Sequence, residues 1–125
     1  MRVSAFCAGC SDSVTVSGAE ATQPTRMGTY LRMAGPAQGS RPVYQLVGPT
    51  VEYLYYWPGG SAWRIGGDYT SSAAQPGLHS GSTALCPELA AGWQVWSGSA
   101  WVSGMAVKVR QGAFERCALT HSKGA

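Results

Sequence analysis

The side chains with the most distinctive reactivity are four cysteines and two histidines, at Cys7, Cys10, Cys86, Cys117, His79 and His121. The first two cysteines form a Cys-x-x-Cys pair, whereas the other two are isolated. A zinc site would need a second close pair of ligands, and the histidines offer one at poor spacing. A redox role would need a helix after the pair, but the following Ser-Asp-Ser-Val-Thr-Val is typical of a strand. We therefore favour disulfides, with reduced buried thiols and a composite zinc site as the alternatives.

Four cysteines allow three pairings, and the sequence does not choose among them. A bond from Cys7 or Cys10 to Cys117 would tie the two ends of the chain together. Disulfides would suit an extracellular surface or an organelle lumen, and so would the low content of charged residues, 12%. The N-terminus has one basic residue and no long apolar run, so it is not a convincing signal peptide. The compartment stays open.

No arrangement of residues in the sequence strongly indicates catalysis. His79, Asp68 and one of many serines could form a Ser-His-acid set, but no Gly-x-Ser-x-Gly lies between a strand and a helix. The glycine pairs at 59–60 and 66–67 precede no helix, so neither is a phosphate loop. Paired carboxylates would have to come from residues that mostly flank turns, namely Asp12, Glu20, Glu52, Asp68 and Glu88. We expect a protein that is not an enzyme and that uses no cofactor and no metal.

Aromatic strands and tight turns position these side chains. Tyr-Leu-Tyr-Tyr-Trp runs into Pro-Gly-Gly, and the Gly-Ser-Ala-Trp that follows recurs at 98–101, which predicts two hairpins. Residues 67–92 show no alternation, so we expect a loop that is functional or packed down, and little helix anywhere. The predicted strands are 14–16, 28–33, 42–47, 51–57, 61–66, 93–96, 100–102 and 106–109. We predict an all-β fold, a small antiparallel sandwich or barrel of about seven to eight short strands. Its domain is 13–109, between an irregular segment 1–12 and a tail 110–125.

The formal net charge of +3 arises in the tails. Between Asp12 and Val109 five basic residues balance five acidic ones, so no basic stripe predicts a nucleic-acid partner. No apolar run approaches the roughly 18 residues that a transmembrane helix needs. We expect neither nucleic-acid binding nor a transmembrane segment.

An ordered set of motifs runs through most of the chain, between residues 13 and 109. The motifs are Gly28-x-Tyr30, Arg41-Pro42-Val43-Tyr44, Tyr53-Leu54-Tyr55-Tyr56, Trp63-x-Ile65-Gly66-x-Asp68-Tyr69, Cys86-Pro87, Gly92-Trp93-Gln94-x-Trp96, Gly98 and Trp101-Val102. This set resembles a Gly/Tyr/Trp-rich module found, often in several copies, in predicted proteins of algae, other protists and some marine invertebrates. The resemblance implies a fold and carries over no catalytic residue. A single copy leaves room for recruitment as a subunit of a larger assembly.

Two functions compete on this basis. The first is a structural or interaction subunit that contacts other protein subunits within a larger assembly, because charge is low and the module stands alone. The second is a carbohydrate-binding or adhesive module that stacks neutral glycans on aromatic rings. Its candidate residues are Tyr53, Tyr55, Tyr56, Trp57, Trp63, Trp96 and Trp101. Core packing of the same rings is the competing explanation for each, so the decisive question is which face of 51–57 stays uncovered.

Overall fold

The computed structural model describes residues 9–71 and 75–112, and their regular structure is almost entirely β. The strands are β1 (Ser13–Ser17), β2 (Gly28–Gln38), β3 (Arg41–Leu46), β4 (Tyr53–Trp57), β5 (Ala62–Gly66), β6 (Leu78–Ser80), β7 (Gln94–Trp96), β8 (Trp101–Ser103) and β9 (Lys108–Gln111). Single 3₁₀ turns occupy Pro24–Arg26, Pro58–Gly60 and Pro87–Leu89. Each turn begins with a proline, whose fixed φ suits the first helical position. Within the described part of the chain, no helix has the length and apolar character to cross a membrane.

All of these strands join one antiparallel sheet that curls into a half-barrel. Their spatial order is β8-β7-β6-β5-β4-β3-β2-β1-β9, so the chain meanders until β9 returns to lie beside β1. In a flat sheet the two outermost strands would lie roughly 38 Å apart. Residues 104–107, which join β8 to β9, can span at most about 19 Å. The short connection therefore requires the sheet to curl.

The inner face of the curl holds the hydrophobic core. Side chains alternate between the faces of a strand, and the register keeps the inward ones in line across the sheet. Leu54 lies opposite Tyr44 on one side and Ile65 on the other. Core members are Val14, Val16, Tyr30, Tyr44, Leu54, Tyr56, Trp63, Ile65, Leu78 and Val95.

The segment before β1 closes one end of the curl. Cys10 forms a disulfide with Cys86, 76 residues further along the chain. The Ser11 carbonyl accepts a hydrogen bond from the Tyr44 hydroxyl, and the Ser11 hydroxyl donates to Glu88 Oε2, both at 2.7 Å. The buried tyrosine hydroxyl is thereby satisfied, which matters because an unpaired buried polar group costs about 1–3 kcal/mol.

Arg26 organises the opposite end. Its carbonyl accepts a hydrogen bond from the Tyr30 hydroxyl at 2.7 Å, and its Nε lies 2.9 Å from Glu52 Oε1. Gln23 Nε2 donates to the Trp96 carbonyl at 2.7 Å, which ties the Pro24–Arg26 turn to β7. Burial raises the pKa of the Glu52 carboxyl above its usual value, and the Arg26 charge opposes that rise.

The expected all-β class is confirmed, and the strand boundaries differ most at four elements. β9 runs over Lys108–Gln111, two residues later than the predicted 106–109. The predicted loop 67–92 contains β6, so the sheet has nine strands where seven to eight were expected. β2 continues to Gln38 through the predicted loop at 35–39, because a register shift between Arg32 and Ala37 accommodates Gly35 and Pro36. β4 begins at Tyr53, two residues later than predicted.

Candidate functional site

The outer face of the sheet carries a row of polar side chains that crosses neighbouring strands. Arg64 on β5 lies between Tyr55 on β4 and His79 on β6. Gln94 on β7 continues the row beside His79. Their neighbours in sequence belong to the buried core, so alternation directs this row away from the core.

Tryptophans flank the row at two corners. Trp57 ends β4, whereas Trp96 and Trp101 lie opposite each other on β7 and β8 with ring centroids 5.4 Å apart. The Trp101 ring also meets the His79 ring edge-on, at 4.3 Å between centroids. All three indoles are partly exposed. We call Trp57, Arg64, His79, Gln94, Trp96 and Trp101 the outer patch.

A tight hairpin holds Arg64 beside Trp57. The guanidinium Cζ lies 5.6 Å from the centroid of the indole ring, a cation–π distance. The Pro58–Gly60 turn flanks the same guanidinium, since a Cβ added to Gly60 would lie 3.1 Å from Arg64 Nη2. Ser61 leaves the turn with a left-handed φ of 49°, which returns β5 antiparallel to β4. The turn geometry thus fixes the cation against the aromatic ring.

His79 is a polar group that stays uncharged near neutral pH. Burial lowers its pKa from the ordinary value of 6.5, a hydrogen bond with Gln94 raises it, and the Arg64 charge lowers it. The lowering dominates, so at pH 7 the imidazole is neutral and has one donor and one acceptor nitrogen. His79 and Gln94 together can hydrogen-bond to uncharged hydroxyl groups.

A loop covers the outer face on the β3–β4 side. Tyr55 points outward yet is fully buried, and burial raises the pKa of its hydroxyl. Tyr69 packs edge-on against Tyr53 at 4.9 Å between ring centroids, and its carbonyl accepts a hydrogen bond from Gln38 at 2.6 Å. Pro76 is buried beside Gly66. The described parts of 67–77 are therefore packed down, and the open part of the outer face begins at Trp57 and Arg64.

The predicted binding aromatics fall into two groups. Tyr55, Tyr56 and Trp63 are buried, with 0%, 5% and 0% of their surfaces exposed. Trp63 donates from Nε1 to the Ala84 carbonyl at 2.8 Å and packs edge-on against Tyr56. The partly exposed group is Tyr53, Trp57, Trp96 and Trp101. The structure brings the three tryptophans of this group into the outer patch and leaves Tyr53 beside the packed loop.

The structure pairs two of the four cysteines. Cys10 is bonded to Cys86, so the alternative bond from Cys10 to Cys117 is wrong, and a zinc site built on all four thiolates is excluded. Cys7, Cys117 and His121 lie outside the described residues. Within those residues no three ligand side chains converge on a metal position.

Neither Arg64 nor Gln94 was predicted as a binding residue, and His79 was a candidate for catalysis or zinc binding instead. The signal that could have found Arg64 was the hairpin register, because Trp57 opposite Ala62 places Tyr55 opposite Arg64. The sequence could not extend the row because β6, which carries His79, lies within the predicted loop 67–92.

The comparisons with known proteins leave the assignment open. The resemblance to a Gly/Tyr/Trp-rich module stays a prediction. No protein-family model, no curated protein and no solved structure matches this chain.

Proposed function

We propose that this protein is a non-catalytic carbohydrate-binding module whose outer patch packs sugar rings against indole faces. The observation that supports the proposal is the combination of partly exposed tryptophans with a row of hydrogen-bonding side chains on one sheet. Aromatic faces pack against the apolar C–H faces of sugar rings, while a few polar groups orient the ligand. His79 and Gln94 lie between the tryptophan corners, where they can meet the hydroxyl groups of a bound sugar.

The dimensions of the outer patch favour a chain of sugars over a single ring. Trp57 lies opposite Ala62, the first residue of β5. Trp96 pairs with Gly77, and Gly77 in turn lies beside Gly66, the last residue of β5. The two indoles are therefore three strand spacings apart across the sheet and four residues apart along the strands. These two offsets together give a separation of roughly 19 Å. An oligosaccharide can contact both corners at once.

The contacts of the most plausible acid and base support a role without catalysis. Asp68 accepts hydrogen bonds from the Thr70 backbone and side chain, at 2.8 and 2.6 Å, which lower the pKa of its carboxyl. His79 packs on Trp101 and hydrogen-bonds with Gln94. A base that activates a nucleophile would instead need a serine or water within reach and an orienting carboxylate.

Binding to a panel of soluble polysaccharides, followed by calorimetry and indole N–H NMR shifts, tests this proposal. We expect the signals of Trp57, Trp96 and Trp101 to move, while those of the buried Trp63 and Trp93 stay in place. Trp57→Ala and Trp101→Ala should each weaken binding at least about tenfold, equivalent to about 1.4 kcal/mol. Leu31→Ala removes an exposed side chain from β2, away from the outer patch, and is the matched control. Binding to no polysaccharide, or binding that survives both tryptophan changes, would refute the proposal.

A second candidate, an interaction subunit of a larger assembly, is favoured by the region between β8 and β9. A groove of about 470 Å³ lies there, and the Met105 side chain beside it is 87% exposed. Within the described residues, the buried Trp93 Nε1 and Glu88 Oε1 atoms have no hydrogen-bond partner. The exposed apolar Met105 side chain would give a partner segment its contact at this groove.

Co-elution with the native particle tests this second function. We expect Met105→Glu to release the chain from the particle. Leu31→Glu, the same apolar-to-acidic change at a half-exposed residue on β2, should leave it bound. Elution of the unmodified chain as a free monomer from its native source would contradict the subunit role.

A further inference from the structure

The strands that carry most of the outer patch contribute positive charge and no negative charge. The four strands that carry most of it, β5 to β8, contain one charged residue, Arg64, and no Asp or Glu. His79 lies beside Arg64 and adds a second positive charge whenever it is protonated. A ligand on this face therefore meets positive potential without a compensating carboxylate from these strands.

Within 9–71 and 75–112, no carboxylate lies at salt-bridge distance from the Arg64 guanidinium. Among the residues that the structure describes, the ion pair formed is that of Arg26 with Glu52 at the Arg26 end of the curl. Asp68, the acidic group nearest in sequence, accepts two hydrogen bonds from Thr70 at Oδ1, and its charge acts on the Tyr55 hydroxyl without forming an ion pair with Arg64. Arg64 is partly exposed, and its guanidinium lies over the Trp57 indole.

A guanidinium in this position is matched by a planar or tetrahedral oxyanion. Arginine presents a rigid fork of N–H donors that binds a carboxylate or sulfate through two parallel hydrogen bonds. Arg64 lies over one face of the Trp57 indole, so a sugar ring at that corner would pack on the remaining exposed surface of the indole and bring its substituents beside Arg64. We infer that the ligand of the outer patch is an acidic polysaccharide, with a sugar carboxylate or sulfate bound by Arg64. This inference rests on the proposed function and replaces the neutral glycan expected from sequence.

The number of cations distinguishes this ligand from a nucleic acid, the other polyanion that stacks on aromatic rings. Single-stranded nucleic-acid sites line a groove with many basic side chains, and each neutralised phosphate adds to the salt dependence. The outer patch has one fixed cation, which suits an isolated anionic group on a mostly uncharged sugar surface. We expect the logarithm of affinity to fall with the logarithm of salt concentration with a slope of about one or less.

His79 makes the affinity depend on pH. The groups that face it are Arg64 from β5, Gln94 from β7 and Trp101 from β8. Burial keeps the pKa of the free imidazole low, and an anion bound beside it would raise that pKa. By linkage, the acidic ligand must then bind more tightly as pH falls through the pKa that His79 has in the complex.

The test uses matched pairs of polysaccharides that differ in charge alone. Polygalacturonate is compared with its methyl ester, and a sulfated galactan with its desulfated form, by calorimetry with the full-length protein. We expect one acidic member to bind at least about tenfold more tightly than its neutral partner, equivalent to about 1.4 kcal/mol. The two pairs show whether carboxylate or sulfate is preferred.

Variants assign the preference to Arg64. Arg64→Gln should reduce acidic binding to the level of the neutral partner, and Arg64→Lys should retain part of the preference. Arg110→Gln on β9 removes an exposed charge outside the outer patch and should change nothing, and circular dichroism verifies that each variant folds.

The possible failures are distinguishable. Equal binding of acidic and neutral partners, or an acidic preference that survives Arg64→Gln, would overturn the inference and leave the proposed function standing. Tighter binding to a single-stranded oligonucleotide than to any polysaccharide would also overturn it. Absence of binding to every sugar would remove the proposed function itself.

Discussion

Gly18 lies where the end of β1 meets the connection between β8 and β9. Its φ is +104°, and a Cβ at this position would overlap the Ala106 carbonyl. Gly35 has almost the same φ, +106°, but open space around it. An alanine would meet similar backbone strain at both positions, but only at position 18 would its Cβ also clash with a neighbouring segment.

We expect Gly18→Ala to lower the free energy of unfolding by about 2 kcal/mol more than Gly35→Ala, because overpacking adds about 1–3 kcal/mol to the shared backbone cost. Urea titration of both variants measures the difference. Equal losses would mean that Ala106 can move away and that the approach of the two segments is loose.

His79 provides a prediction about pH. Because its pKa is lowered in the folded protein, the unfolded chain binds more protons just below pH 6.5. The contribution of His79 to stability is thus present above the unfolded pKa and lost as pH falls through the folded pKa. His79→Gln should make unfolding free energies less dependent on pH in this window, and Glu52 affects both proteins equally. Direct NMR titration of the imidazole checks the sign, and a midpoint above 6.5 would contradict it.

At the residue scale, the sequence pointed to aromatic rings but not to their exposure. Alternation in 51–57 correctly separated Tyr53, Tyr55 and Trp57 from the other face, yet Tyr55 is buried by residues that follow β5. Trp63 shares its Gly-Ser-Ala-Trp context with Trp101 and was also a candidate, but its side chain faces the core. Period-two patterns assign residues to faces, whereas exposure depends on which distant segment covers each face.

The disulfide acts at the scale of elements, because it joins the segment before β1 to the segment after β6. The bond closes a loop with a sequence separation of 76 residues, for which the chain-entropy model gives about 4.5 kcal/mol of stabilisation. We expect the Cys10→Ser, Cys86→Ser double variant to lose about 2–4 kcal/mol in urea unfolding. Peptide mapping without reduction is the accompanying check. A peptide that joins Cys10 to any other cysteine would contradict the pairing.

Two elements show why the boundaries were harder to predict than the class. β6 is Leu-His-Ser, three residues long, too short for alternation to stand out from the serine- and glycine-rich sequence around it. β2 contains Gly-Pro, which normally ends a strand, but the shift in register after Arg32 lets pairing resume at Ala37. Local patterns specify a strand when it is long and regular, and tertiary pairing specifies the rest.

At the scale of the whole molecule, the sequence predicted a sandwich or a barrel and could not choose between them. The choice depends on β9, which pairs with β1 from Val14 opposite Gln111 to Ser17 opposite Lys108. No periodicity within 108–111 identifies β1 as its partner, since any open edge would accept the same alternation. The connection 104–107, too short to cross a flat sheet, is what converts a meander into a curl.

This architecture predicts an uneven distribution of local stability across the sheet. β4 lies in the middle. Its inner face packs in the core, and Tyr55 on its outer face is fully buried, although Trp57 at its end is partly exposed. β8 is a three-residue edge strand whose Val102 is 45% exposed. Segments with few buried contacts open at lower free energy than the centre of a sheet.

Hydrogen exchange on the isolated chain measures this gradient. We expect the amides of Leu54 and Ile65 to exchange at the rate of global unfolding and those of β8 at least roughly 100-fold faster, equivalent to about 2.7 kcal/mol. The comparison is made at two protein concentrations, because a second copy paired with β8 would slow its exchange in proportion to association. Protection of β8 equal to that of β4, independent of concentration, would mean that the β8 edge is covered within the monomer and is not free to receive a partner.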